Sequence, residues 1–118
     1  MSLRDRLTAG SFAVTAEISP PRGASTDPVT ATAALLRDWV DAVNVTDNQG
    51  SNVRLASWAG SLAALQAGLE PVMQMTCRDR NRIALQSDLL GASALGIRNI
   101  LVMTGDHPKF GDHPEAKP

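Results

Sequence analysis

Four short stretches carry the residues that could do chemistry. Glu17 closes the apolar run Phe12-Ala13-Val14-Thr15-Ala16 and is followed by Ile18-Ser19-Pro20-Pro21. Such a carboxyl group is either a solvated strand end or a general acid, the role it takes when burial near a bound ring favours its neutral form. Thr104-Gly105-Asp106 is the second stretch. Gly105 lets the backbone take a positive φ or approach a ligand closely, and Asp106 can accept hydrogen bonds or stabilise a developing cation; a plain Gly-Asp turn is the competing reading. The third stretch is Gln74-Met75-Thr76-Cys77-Arg78-Asp79-Arg80-Asn81. Cys77 lies beside cationic side chains that favour a thiolate, yet no histidine follows nearby to act as its base. Arg78, Arg80 and Arg82 read as a solvated helix start, with one of them able to hold a phosphate or carboxylate. Last, Gly-Asp-His-Pro occurs twice, at 105–108 and 111–114. The spacing of His107 and His113 matches no strong zinc pattern, and the prolines mark a turn-rich loop.

The elements that must position these residues repeat. Strand-like runs end at Glu17, Thr46, Thr76 and Thr104, spaced 29, 30 and 28 residues apart. Strand and helix alternating at that period form the βα unit of a parallel sheet. Right-handed crossovers bring the C-terminal strand ends to one rim, where α/β folds bind ligands. The predicted strands are 12–18, 42–46, 71–76 and 99–104. Asp27-Pro28 opens a helix with Val29, Ala33, Leu36 and Val40 on one face. A second helix, 53–67, presents Leu55, Trp58, Leu62 and Leu65. A third, capped by Asp79 or Asn81, carries Ile83, Leu85, Leu89, Leu90, Ala92 and Ala94. Gly68 and Gly96 stop the last two helices. Leu3 to Gly10 is a short helix or loop. Alternation places Thr15 with Glu17, Asn44 with Thr46, Gln74 with Thr76, and Thr104 with Asp106. Polar residues repeated on one strand face favour a barrel interior over a flavodoxin-like sheet, whose two faces are both covered by helices. The expected fold is therefore α/β, a (βα)8 TIM barrel, with about the first four strands and three helices present. A closed barrel needs roughly 250 residues, so residues 1–118 are expected to be the N-terminal half of one barrel domain.

Composition narrows the function classes. The net charge of −1 offers no electrostatic footprint for nucleic acid or acidic lipid, and two Phe, two Trp and no Tyr leave no stacking platform. One cysteine forms no internal disulfide and suits a reducing compartment. No apolar run is long enough to span a membrane, and no signal-peptide core follows Met1. A cytoplasmic protein is expected. Neither Gly-x-Gly-x-x-Gly nor a P-loop is present.

The strand ends and the loops after them carry a family resemblance. Glu17-Ile18-Ser19-Pro20-Pro21-Arg22, Val43-Asn44-Val45-Thr46-Asp47, Leu69-Glu70-Pro71-Val72-Met73-Gln74-Met75-Thr76-Cys77 and Thr104-Gly105-Asp106 occur in order at barrel spacing. Together they resemble methylenetetrahydrofolate reductase, and Cys77 to Asn81 and Ser87 to Ala92 look like its short bacterial members. The resemblance implies a barrel with bound FAD. It passes hydride from NADH or NADPH to 5,10-methylenetetrahydrofolate and yields 5-methyltetrahydrofolate for methionine biosynthesis. It assigns Glu17 as the general acid that protonates N10 and opens the ring to an iminium. It assigns Asp106 as the charge that favours this cation, and Thr46, Gln74, Thr104, Gly105 and Asp106 as cofactor contacts. Many members carry Phe-Phe where this chain has Ile18-Ser19, a histidine at Gln74 and an arginine at Thr104. A homo-oligomer is expected, with folate as its partner. The alternatives are a relative serving another folate one-carbon or corrinoid methyl pathway, and a non-catalytic half-barrel that self-associates.

Overall fold

A computed structural model describes residues 1–117. Its elements in order are α1 (Leu3–Thr8), β1 (Thr15–Ile18), α2 (Asp27–Leu36), β2 (Ala42–Val45), α3 (Ser57–Gln66), β3 (Pro71–Thr76), α4 (Arg82–Ala94) and β4 (Asn99–Met103), with 3-10 turns at Gln49–Ser51 and Pro108–Phe110. The four strands form one parallel sheet in the order β1-β2-β3-β4. Each helix from α2 to α4 crosses from one strand to the next, and the architecture is the first part of a TIM barrel.

Local chemistry explains most boundaries. Ser2 and Asp5 close a capping box at α1. The Asn81 side-chain oxygen accepts the Ala84 N–H at 2.9 Å and starts α4. Thr26, rather than Asp27, is the N-cap of α2, and Asp27 and Pro28 lie inside its first turn. Gly68 and Gly96 both have φ +87° and stop α3 and α4 in the left-handed region.

Two helix faces differ from the pattern expected of them. Helix α3 begins at Ser57, not Val53, because Asn48 and Pro21 oxygens take the N–H groups of Arg54 and Leu55 and hold that segment extended. Its sheet-facing side is small: Ser57, Gly60, Ser61, Ala63 and Ala64 are buried, while Trp58 is exposed. A Cβ on Gly60 would lie 2.9 Å from Val45 Cγ1 and 3.2 Å from Pro20 Cγ, so the helix approaches the sheet more closely than a leucine face allows. On α4, Leu85 and Ala92 pack inward, whereas Ile83 and Leu90 are 78% and 74% exposed.

The core lies on the helix side of the sheet. Ile18, Val29, Ala33, Val43, Val45, Ala63, Ala64 and Leu69 form one cluster under α2 and α3. Met73, Met75, Ala92 and Ile97 form a second under α4. Consequently the opposite face carries the alternate residues, among them Glu17 paired with Asn44 across β1 and β2, and Gln74 and Thr76 paired with Leu101 and Met103 across β3 and β4. This is the polar face expected for β1 to β3. On β4 the parity differs by one: Met103, not Thr104, shares the face of Thr76.

Candidate active site

The C-terminal ends of the strands and the loops beyond them surround a cleft of about 290 Å³. Glu17, Thr46, Asp47, Gln49, Gln74, Thr76, Arg78, Met103, Gly105 and Asp106 line it. Five residues singled out from sequence therefore meet there: Glu17, Thr46, Gln74, Gly105 and Asp106. Thr104 is exposed and does not line the cleft, because its side chain falls on the other side of β4 from Met103.

Glu17 stands exposed at the mouth. The burial expected to favour its neutral form is not supplied by its neighbours in this structure. Thr46 and Thr76 are buried in the walls, and neither hydroxyl has a hydrogen-bond partner. An unpaired buried hydroxyl costs on the order of 1–3 kcal/mol, so these two atoms mark where a polar ligand edge would be stabilised.

Asp47 is the deepest charge. Its side chain is 0% exposed, and its carboxylate accepts the Thr76 N–H at 2.8 Å and the Arg80 guanidinium at 2.6 and 3.3 Å. The Arg80 guanidinium also donates to the Thr76 carbonyl at 2.9 Å and to Asp88 of α4 at 2.8 Å. Burial acts against its charge, but Asp47 and Asp88 outweigh that and raise its pKa further. Arg78, with its side chain 2% exposed, holds Asp79 by two bonds and donates to the carbonyls of Asn48 and Asp106. Its bond to Asp79 raises its pKa and lowers that of Asp79. Arg78 and Arg80 are thus internal ties between loops, not the solvated helix start expected from their position. Arg82 is exposed.

The doubled Gly-Asp-His-Pro has a structural account. Asp106 accepts the Gly50 N–H at 2.7 Å, and Asp112 accepts the Val53 N–H at 2.7 Å while binding Arg22 through both oxygens. Each aspartate therefore secures the same Gly50–Val53 loop to the chain after β4. Gly111 lies so close to Ser51 that a Cβ there would collide with its carbonyl. The His107 ring nitrogen accepts the Lys109 N–H, and His113 lies near Glu115. Among the described residues no three His, Cys, Asp or Glu side chains gather as a metal-binding group.

Of the other lining residues, Arg78 is one of the three arginines read as able to hold a phosphate or carboxylate, and Thr76 is a strand end expected at the rim on the same strand face as Gln74. Asp47, at the end of the second strand, Gln49 and Met103 carry no assigned role in the sequence, and the ties made by Arg78 and Asp47 are not legible there because their partners lie 28 to 33 residues away.

Parallel βα units that gather hydroxyl, amide and carboxylate side chains at the C-terminal rim define a TIM-barrel enzyme site. The family model for methylenetetrahydrofolate reductase matches residues 2–118, and the chain belongs to that family. Membership makes it an oxidoreductase-family barrel with a methylenetetrahydrofolate reductase-like function. No curated protein matches the chain in sequence. None of its described helices is long and apolar enough to cross a membrane.

Proposed function

We propose that the cleft is part of the site at which 5,10-methylenetetrahydrofolate is reduced to 5-methyltetrahydrofolate at the expense of NADH or NADPH, by way of a bound flavin. One observation supports this most strongly. Glu17, Thr46, Gln74, Gly105 and Asp106 converge on a single cleft in a chain of the methylenetetrahydrofolate reductase family. The unpaired Thr46 and Thr76 hydroxyls and the Gln74 amide fit the polar edge of a flavin ring. When bound, a flavin supplies the hydride relay between nicotinamide and folate.

The chain's own residues divide the remaining work. Methylenetetrahydrofolate is not itself an electrophile, because its bridging carbon is bonded to two nitrogens. Glu17 donates a proton to N10, the C–N10 bond breaks, and the N5 lone pair forms the iminium that accepts hydride. A folate ring covering the mouth would desolvate Glu17 and favour its neutral, donating form. Asp106 and Asp47 place negative charge at the rim, Asp47 being offset by Arg80. The charge of Asp106 thus favours the cationic intermediate. Gly105 keeps this loop close to Thr76.

Separate assay of the two half-reactions tests the assignment. Glu17→Gln is expected to abolish folate reduction while leaving nicotinamide oxidation by the flavin-loaded protein nearly intact. Equal loss of both half-reactions would remove Glu17 from the proton-transfer role.

A further inference from the structure

We propose that Arg80 is a positioning residue for this site, acting through Thr76, a role that rests on the flavin-binding reading of the cleft. Strand β2 ends at Val45, whose pairing partner is Met73, so β3 runs three residues further than its neighbour on that side. Thr76 therefore lacks a backbone acceptor for its N–H in β2. The Asp47 carboxylate takes that place at 2.8 Å, while Arg80 donates to the Thr76 carbonyl at 2.9 Å. The ion pair thus brackets residue 76 from both of its backbone groups.

The bracket also joins three elements. Asp47 follows β2, Thr76 ends β3, and Asp88 belongs to α4. The ion pair at its centre is largely withdrawn from water, with side-chain exposure of 12% for Arg80 and 0% for Asp47, while Asp88 at its edge is 34% exposed. At that burial the pair is held in one geometry, because separating the charges would leave one of them desolvated and unpaired. The Thr46 and Thr76 hydroxyls are carried by the backbone segments it joins, and both are unpartnered. Arg80 does not line the cleft, whereas Asp47 and Thr76 do. Its effect on a ligand must pass through those two residues.

Lysine at position 80 keeps the charge but cannot contact Asp47, the Thr76 carbonyl and Asp88 together in one plane. Arg80→Lys is expected to speed amide exchange of Thr76 at least tenfold, with Met73 and Met75 unchanged, and to weaken FAD binding about tenfold. Thr76→Val should weaken FAD binding severalfold in the parent protein and less than twofold in the Arg80→Lys background, since the hydroxyl is already misplaced there. A merely structural arginine would give additive losses instead. Should Arg80→Lys fail to fold, the neutral pair Asp47→Asn with Arg80→Gln removes both buried charges at once, and the same readouts apply. Thr76 exchange within twofold of the parent, or additive effects on FAD affinity, would overturn the proposal. Absence of FAD binding by the parent protein would overturn the flavin reading instead, and the exchange of Thr76 would then decide the bracket alone.

Discussion

Gly105→Ala is expected to be among the most damaging single-methyl changes in this protein. Gly105 has φ +82°, a conformation that costs an alanine about 1–2 kcal/mol. Space is lacking as well. A Cβ there would stand 2.9 Å from Thr76 Cγ2, 3.1 Å from Thr76 Cβ and 3.0 Å from Arg78 Nη1. None of these neighbours can yield easily. Thr76 is 1% exposed, and Arg78 is tied to Asp79, Asn48 and Asp106. Overpacking of this kind costs about 1–3 kcal/mol, so the two penalties together reach about 2–5 kcal/mol. Gly91 provides an internal control. It lies within α4 with nothing within 4 Å of its would-be Cβ, and Gly91→Ala should stabilise by roughly 0.5–1 kcal/mol through helix propensity. Urea unfolding of the parent and both variants, followed by far-UV circular dichroism, measures the contrast. A Gly105→Ala midpoint equal to that of the parent, with an unchanged slope, would refute both the left-handed conformation and the contact with Thr76.

Further outcomes follow from the same rim. Asp106→Asn keeps an acceptor for the Gly50 N–H but removes the charge, and should cost on the order of 2–3 kcal/mol in folate turnover with flavin still bound; an unchanged rate would make Asp106 only a turn residue. The Val53 N–H and then Arg22 hold the Asp112 carboxyl below its ordinary pKa of 3.8, and Arg78 does the same for Asp79. Folded-state values below the unfolded one mean that this stabilisation is fully present above pH 3.8 and is lost as pH falls through the lowered values. Urea midpoints measured between pH 5 and pH 2.5 should therefore drop less steeply in Asp112→Asn than in the parent. Equal slopes would show that Asp112 forms no such contact.

Much of the fold was legible because local chemistry determines it. Strand β3 spans Pro71–Thr76, the run read from its apolar residues, and Gly68, Gly96 and Gly105 all adopt the positive φ expected where a helix stops or a strand turns. Alternation along each strand was enough to place Glu17 and Gln74 on the face opposite the core, and the repeat near thirty residues was enough to bring their strand ends to one rim. These properties depend on residues a few positions apart, which is the range over which backbone sterics and side-chain alternation act. Other features are settled only by partners distant in sequence. The leucines and Trp58 of α3 outrank its small residues in hydrophobicity, yet close approach to Val45 and Pro20 selects the face of Gly60 and Ser61. Arg80 reads as a surface cation until Asp47, 33 positions earlier, is folded beneath it. Register decided Met103 over Thr104, since the last rung of β4 is set by its pairing with Thr76. The two Gly-Asp-His-Pro segments likewise take their meaning from the Gly50–Val53 loop that both aspartates secure. A single chain shows which groups it offers, but a buried charge or a close packing face exists only once a second element has excluded water from it.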